Sequence, residues 1–329
     1  MTSARIRFLA VFLVSCPLSI VVTPGGSTGD LKPGRNDVEF DHQGRTRTAI
    51  IMVPRSAAIP RNGWPLVLML HGAGGSSKNV LESTGWAERG EKEGIVMVFP
   101  NGTPRDESRP ESFSRNPQTW NSGAKESLSS GVSSAAAKNI DDVGFLTQLL
   151  QRVCRQLTID PSRIYVAGHS NGAQMAYRFA SERSTVVAAV GVMAGHSYAE
   201  HKSLASPVSL IQIVGDHDPF TPMEGGKAGI LGRTMIVPPA LDSPRLWAQS
   251  LSISNEAAVL RDDDTLTIRE WGPAANGAEV RSIVVKGHGH AYLSRQDRFH
   301  PAILFGPTVN SINATETMWE FFIRHPKLH

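Results

Sequence analysis

The chain has 329 residues, 40% of them hydrophobic, with 33 Lys and Arg against 30 Asp and Glu, a formal net charge of +3 at pH 7. That length buries a substantial core without disulfides and suits one large α/β domain or two small ones. A charge this slight, with no Lys/Arg-rich block, gives no reason to expect nucleic acid as a partner, and two cysteines with no zinc spacing give neither a disulfide framework nor a metal site.

Arg5 and Arg7 precede an apolar run from Phe8 to Val14, and no acidic residue occurs before Asp30. Positive charge followed by a short apolar run is the pattern of a secretory signal and is too short for a secure membrane span. Residues 1–22 are therefore expected to be a signal peptide and the product to be exported. Leu13-Val14-Ser15-Cys16 resembles a bacterial lipobox, which would make Cys16 a lipid anchor to a membrane. A plain signal cut later and an uncleaved anchor are the alternatives. Residues 23–37, rich in Gly, Pro, Ser and Asp, read as a linker, and 38–329 as one catalytic domain.

From there the pattern alternates. Strands are expected near 47–53, 65–70, 95–99, 163–167, 187–193, 208–214 and 280–286, and helices near 77–92, 142–158, 171–182, 243–252 and 313–324. Runs such as Leu66-Val67-Leu68-Met69-Leu70 are what a parallel sheet buried on both faces demands. The alternation predicts a doubly wound, mostly parallel α/β sheet with helices on both faces. Asp141 and Asp142 precede a helix whose free N–H groups a carboxylate would cap. Cys154 falls on the apolar stripe of that helix and reads as a small buried hydrophobe. Residues 102–138 and 220–242 are long stretches without clear periodicity, and Asp262-Asp263-Asp264 reads as a solvated hairpin loop.

The most informative segment is Gly168-His169-Ser170-Asn171-Gly172. It lies between the β-rich run Arg163–Ala167 and a helix-forming run with Ala173, Ala176, Phe179 and Ala180. Strand, Gly-flanked serine and helix is the context of a nucleophile elbow. A serine hydroxyl becomes a good nucleophile when a strained turn projects it toward a base, with backbone N–H groups ready for the oxyanion. In the α/β-hydrolase order an acid and then a histidine follow, each just beyond a strand. After Val208–Val214 come both Asp216 and Asp218, and after Arg281–Lys286 come both His288 and His290. Spacing leaves both choices open. His71-Gly72-Ala73-Gly74-Gly75 follows a buried strand and supplies bare amides for an oxyanion, Ala73 with Asn171 as partner.

Six segments carry a family resemblance over roughly residues 38–325: LHGAGG at 70–75, NIDDVGFL at 139–146, IDPSRIYVAGHSNGAQMAYRFA at 159–180, VMAG at 192–195, GDHDPFTP at 215–222 and GHGHAY at 287–292. The late TMWEFF at 317–322 also fits. The chain resembles exported esterases that include polyhydroxybutyrate depolymerases of the lipoprotein-esterase type and feruloyl or acetylxylan esterases. The resemblance implies the α/β-hydrolase fold and a Ser170, Asp218, His290 triad. It also implies an ester substrate, either a polyester or its oligomers or an acylated polysaccharide, and no cofactor. His288 and Tyr292 depart from the family's glycine and tryptophan, which leaves substrate identity open rather than mechanism. Trp120, His169 and Tyr292 are expected to line the substrate site. A serine peptidase of the prolyl-oligopeptidase type shares the triad but carries a propeller for which this chain has no room. A non-catalytic binding protein on a hydrolase scaffold usually lacks a triad member, and here none is missing.

Overall fold

The structure is a computed structural model and describes residues 29–55, 58–124, 134–198, 204–230, 233–253, 256–294 and 302–327. The expected signal peptide, Cys16 and residues 23–28 of the expected linker lie outside the described residues. Fourteen strands are described: β1 (Gly34–His42), β2 (Arg45–Val53), β3 (Trp64–Leu70), β4 (Val96–Pro100), β5 (Thr103–Pro104), β6 (Gln118–Thr119), β7 (Ile159–His169), β8 (Ala189–Met193), β9 (Ser209–Gly215), β10 (Gly226–Ile230), β11 (Arg233–Val237), β12 (Ala258–Asp262), β13 (Leu266–Trp271) and β14 (Val280–Val285). The helices are α1 (Ser77–Ser83), α2 (Trp86–Glu93), α3 (Ser134–Ala137), α4 (Asp142–Gln156), α5 (Asn171–Glu182), α6 (Asp242–Ser250), α7 (Ala302–Phe305) and α8 (Ala314–Phe322).

Ten strands form one sheet in the order β1-β2-β4-β3-β7-β8-β9-β14-β13-β12. The six from β4 to β14 run parallel, and antiparallel pairs close both edges. The chain alternates faces with period two. In β3, Leu66, Leu68 and Leu70 enter the core under α4 and α5, while Val67 and Met69 enter the core under α2 and α8. Strands apolar at every position are thus buried on both sides, as expected of central parallel strands. This is the α/β-hydrolase fold.

Three differences from the sequence expectation have local causes. The helix expected at 77–92 is two, because Gly85 takes φ 79° and breaks the ladder between α1 and α2. The expected linker ends early, since Gly34–Asp37 already pair with Val53–Ile50 in the sheet; an edge strand half open to solvent carries no continuous apolar run to announce it. The expected hairpin loop at Asp262-Asp263-Asp264 is present, but its strands β12 and β13 carry no announcing run: every residue of β12 is exposed, and Asp263 closes the turn by accepting from Thr265 N–H at 2.8 Å and Leu266 N–H at 3.0 Å. Among the described residues no helix is long and apolar enough to cross a membrane, and no group of three or more His, Cys, Asp or Glu is placed to hold a metal ion.

Candidate active site

Strand β7 delivers Ser170 at its C-terminal end, where the chain turns directly into α5. Ser170 has φ 53° and ψ −121°, a conformation that L-residues avoid and that costs on the order of 1–3 kcal/mol unless its surroundings impose it. They do. Ser170 N–H donates to Met193 O at 2.9 Å, on the neighbouring strand. A Cβ at Gly168 would meet Gly172 O at 2.3 Å, and one at Gly172 would meet Leu70 O at 2.3 Å. Only glycine at both positions lets the helix start this close to the strands.

Ser170 Oγ lies 2.8 Å from His290 Nε2, and His290 Nδ1 lies 2.8 and 3.0 Å from the two Asp218 oxygens. The carboxylate can only accept, so Nδ1 carries the proton and Nε2 presents its lone pair to the serine hydroxyl. Asp218 follows β9 and is fixed by four further constraints on its geometry: Phe220 N–H at 2.7 Å, Thr221 N–H at 3.1 Å, Thr221 Oγ–H at 2.5 Å and almost complete burial. Burial alone would raise the Asp218 carboxyl, but the His290 charge and these hydrogen bonds outweigh it, and its pKa falls below the ordinary carboxylate value. Phe220 and Phe305 flank the imidazole, their ring centroids 4.6 and 6.2 Å from that of His290.

The two competing residues do structural work. Asp216 accepts from Gly287 N–H at 2.7 Å and His217 Nδ1–H at 2.8 Å, bracing the loop after β14 against the loop after β9. His288 is fully buried, donates Nε2–H to Ala291 O at 2.9 Å and accepts Val309 N–H at 3.3 Å. Burial pushes its pKa down, so it is a neutral brace.

The loop after β3 turns beneath Ser170. Gly74 N–H is taken by Gln118 O and Gly75 N–H by Gly72 O. Among the described residues, the amides of Ala73 and Asn171 have no acceptor; the second is expected of the first residue of a helix. Gly72 O also accepts His71 Nδ1–H at 2.7 Å, while His71 Nε2 accepts Gly102 N–H at 2.9 Å. Accepting at Nε2 while donating at Nδ1 requires a neutral imidazole. Burial drives the His71 pKa down to about 4, against the hydrogen bond to Gly72 and with help from the Arg47 charge.

A family profile described as Esterase PHB depolymerase matches residues 48–228, more than half of the chain. The chain belongs to that family. The match includes Ala73, Trp120, Ser170 and Asp218 and ends before His290. NocK of Nocardia uniformis subsp. tsuyamanensis, named provisionally as an esterase, is 24% identical over 85% of this chain and 80% of its own length. The bifunctional acetylxylan esterase/xylanase XynS20E of Neocallimastix patriciarum is 22% identical over 76% of this chain. The chain spans 31% of that longer protein. Among solved structures, an acetyl xylan esterase from Aspergillus awamori superposes with a TM-score of 0.51 at 14% identity, over 84% of this chain and 94% of that one; that likeness speaks to the fold. This PHB depolymerase-type esterase is a carboxylic ester hydrolase.

The residues expected to line the esterase's substrate site are placed differently. Trp120 is fully buried, so its ring offers no face to an ester; its Nε1–H donates to His71 O at 2.9 Å. Tyr292 is buried too, its hydroxyl accepting Trp86 Nε1–H at 3.2 Å and pairing with Thr315 Oγ at 3.0 Å. Both turn inward because their polar atoms find partners in the core. His169 is half-buried beside Ser170 and donates Nε2–H to the His290 carbonyl at 2.8 Å. Asp141 caps α4 by accepting Gly144 N–H at 2.8 Å, whereas Asp142 is buried in an ion pair with Arg47 at 2.7 Å.

Sequence reasoning missed His71, Phe220, Thr221 and Phe305. The Thr221 signal was present in Asp218-Pro219-Phe220-Thr221, where an Asx turn places amides two and three residues on. Phe305 had no local signal, since it reaches the site from the end of the separate short helix α7.

Proposed function

We propose that the protein hydrolyses carboxylic esters through a Ser170 acyl-enzyme, with His290 as base and Asp218 holding its tautomer. The observation that carries this is the unbroken hydrogen-bonded chain from Asp218 through His290 to a serine held at positive φ. His290 Nε2 takes the Ser170 proton as Oγ bonds to the ester carbonyl carbon, and the carbonyl electron pair moves to oxygen. The Ala73 and Asn171 amides receive that oxyanion. As the tetrahedral centre collapses, the C–O bond to the alcohol breaks and His290 returns the proton to the leaving oxygen. Water, deprotonated by His290, then attacks the acyl-enzyme, and Ser170 leaves with the proton. Asp218 stays ionised throughout and stabilises the transient imidazolium.

The substrate reading is a polyhydroxyalkanoate-type polyester or its oligomers, with feruloyl or acetyl esters of polysaccharide as the second class. Family membership supports the first, and XynS20E, named as an acetylxylan esterase, supports the second. A hydrolysis panel of hydroxybutyrate oligomers, methyl ferulate and acetylated xylan separates them: kcat/KM at least tenfold higher on the oligomers supports the polyester reading, and the reverse order rejects it. Mass spectrometry of acid-quenched turnover tests the acyl-enzyme by the adduct on the Ser170 peptide. Export, with Cys16 carrying lipid, is part of the proposal; palmitate labelling that survives Cys16→Ala contradicts the anchor.

A further inference from the structure

The stretch Gln118 to Asn121 runs between the loop after β3, which carries the Ala73 amide, and the start of α5, which carries the Asn171 amide. Gln118 gives its carbonyl to Gly74 N–H at 2.8 Å. Trp120 then reaches both at once. Its indole N–H donates to His71 O at 2.9 Å, its backbone N–H donates to Asn171 Oδ1 at 2.8 Å, and its carbonyl accepts Asn171 Nδ2–H at 3.3 Å. The rings of Trp120 and His71 pack with centroids 5.0 Å apart.

The orientation of the Ala73 amide follows from this. Gly72 O accepts both His71 Nδ1–H and Gly75 N–H, and a trans peptide points its N–H opposite to its carbonyl. Holding Gly72 O on one side therefore aims Ala73 N–H to the other. His71 is itself held on both sides, its carbonyl accepting the Trp120 indole N–H and its Nε2 accepting Gly102 N–H. At the far end, the Asn171 side chain that grips the Trp120 backbone shares its Cα with the second amide. Beyond Trp120, Asn121 N–H donates to Asp142 Oδ2 at 2.7 Å, Asp142 pairs with Arg47, and Asn121 O accepts from Arg178 at 2.7 Å. One buried tryptophan thus spans the gap between the two amides and is itself anchored on a buried ion pair.

We propose that Trp120 is a positioning residue of the oxyanion hole, a strut that sets the separation and aim of the Ala73 and Asn171 amides. The inference rests on the assignment of those amides as oxyanion donors. Donors act only when they stand about 2.7–3.1 Å from where the oxyanion develops, and small misplacements far from the reacting atoms cost rate steeply. The ground-state ester barely uses these donors, so losing the strut depresses kcat and leaves KM nearly unchanged.

The test is Trp120→Phe, which keeps a buried aromatic ring and removes the indole N–H. It is read against wild type on a p-nitrophenyl ester and by the affinity of a trifluoromethyl ketone, which mimics the tetrahedral oxyanion. The strut predicts a kcat fall of about 10- to 100-fold, KM within about twofold, and a matching loss of ketone affinity. If Trp120→Phe fails to fold, Asn171→Ala cuts the other end of the same strut while keeping the backbone amide, and carries the same expectation. A folded variant whose kcat and ketone affinity both stay within about twofold of wild type overturns the proposal, as does a kcat loss with unchanged ketone affinity. Ser170→Ala, assayed alongside, separates the two levels: turnover in that variant overturns the serine mechanism itself, whereas its silence with a wild-type-like Trp120→Phe overturns the strut alone.

Discussion

The imidazole of His169 donates its Nε2–H to the backbone carbonyl of His290 across 2.8 Å. The residue before the proposed nucleophile thus holds the backbone of the proposed base, and its ring packs edge-on against Tyr292 at 5.7 Å. A link of this kind fixes the geometry of the proposed base through its backbone. His169→Ala is expected to lower kcat by about tenfold or more with little change in KM, and His169→Gln, which restores an N–H donor, to recover most of the loss. Steady-state kinetics on one soluble ester checks both. An Ala variant with unchanged kcat, or a Gln variant as slow as Ala, contradicts the link.

Asp216 and Asp218 stand two residues apart and bond to different partners, Gly287 and His217 for the first and His290 for the second. Asp218→Asn removes the charge that stabilises the imidazolium and is expected to cost about four orders of magnitude in kcat. In Asp216→Asn the amide oxygen still accepts Gly287 N–H, so kcat is expected to stay within about tenfold of wild type. Similar losses in the two variants would mean that the acid is not read correctly.

His71, His196 and His288 are all buried, and burial lowers the pKa of each, to about 4 for His71 and His196. For a histidine whose folded pKa lies below its unfolded value, the unfolded chain binds the extra proton first. The stability is present above about pH 6.5 and is lost as pH falls through the folded pKa near 4. Within that window each such histidine contributes a slope of about 1.4 kcal/mol per pH unit. Urea unfolding between pH 4.5 and 7 is expected to show stability falling steeply with acid. The slope in His71→Gln is expected to be shallower by about one proton, and an unchanged slope would place the His71 titration elsewhere.

The parts legible in the sequence share a property: each was a local run with its own signature. The central strands declared themselves because burial on both faces leaves no polar position. Ser170, Asp218 and His290 could be sought because each stands just past such a strand. What stayed hidden depends on pairs distant along the chain. Trp120 sits in a polar stretch without clear periodicity, and the His71 carbonyl that its indole N–H meets lies 49 residues earlier. His71 reads as one more loop residue until Gly72 and Gly102 close on its two nitrogens. The split between α1 and α2 hangs on the φ of Gly85, and its sequence signal is the short break Ser83-Thr84-Gly85 inside an otherwise helix-compatible run.

The central claim is that Ser170 is the nucleophile, and one paired measurement reaches it directly: labelling by a fluorophosphonate together with turnover of a short-chain p-nitrophenyl ester, in wild type and Ser170→Ala. The serine chemistry predicts stoichiometric labelling of wild type on the Ser170 peptide, no labelling of the variant, and a kcat lower by about 10⁶-fold. A folded Ser170→Ala protein that turns over the ester at a wild-type-like rate, or wild type labelled at another residue, would contradict it.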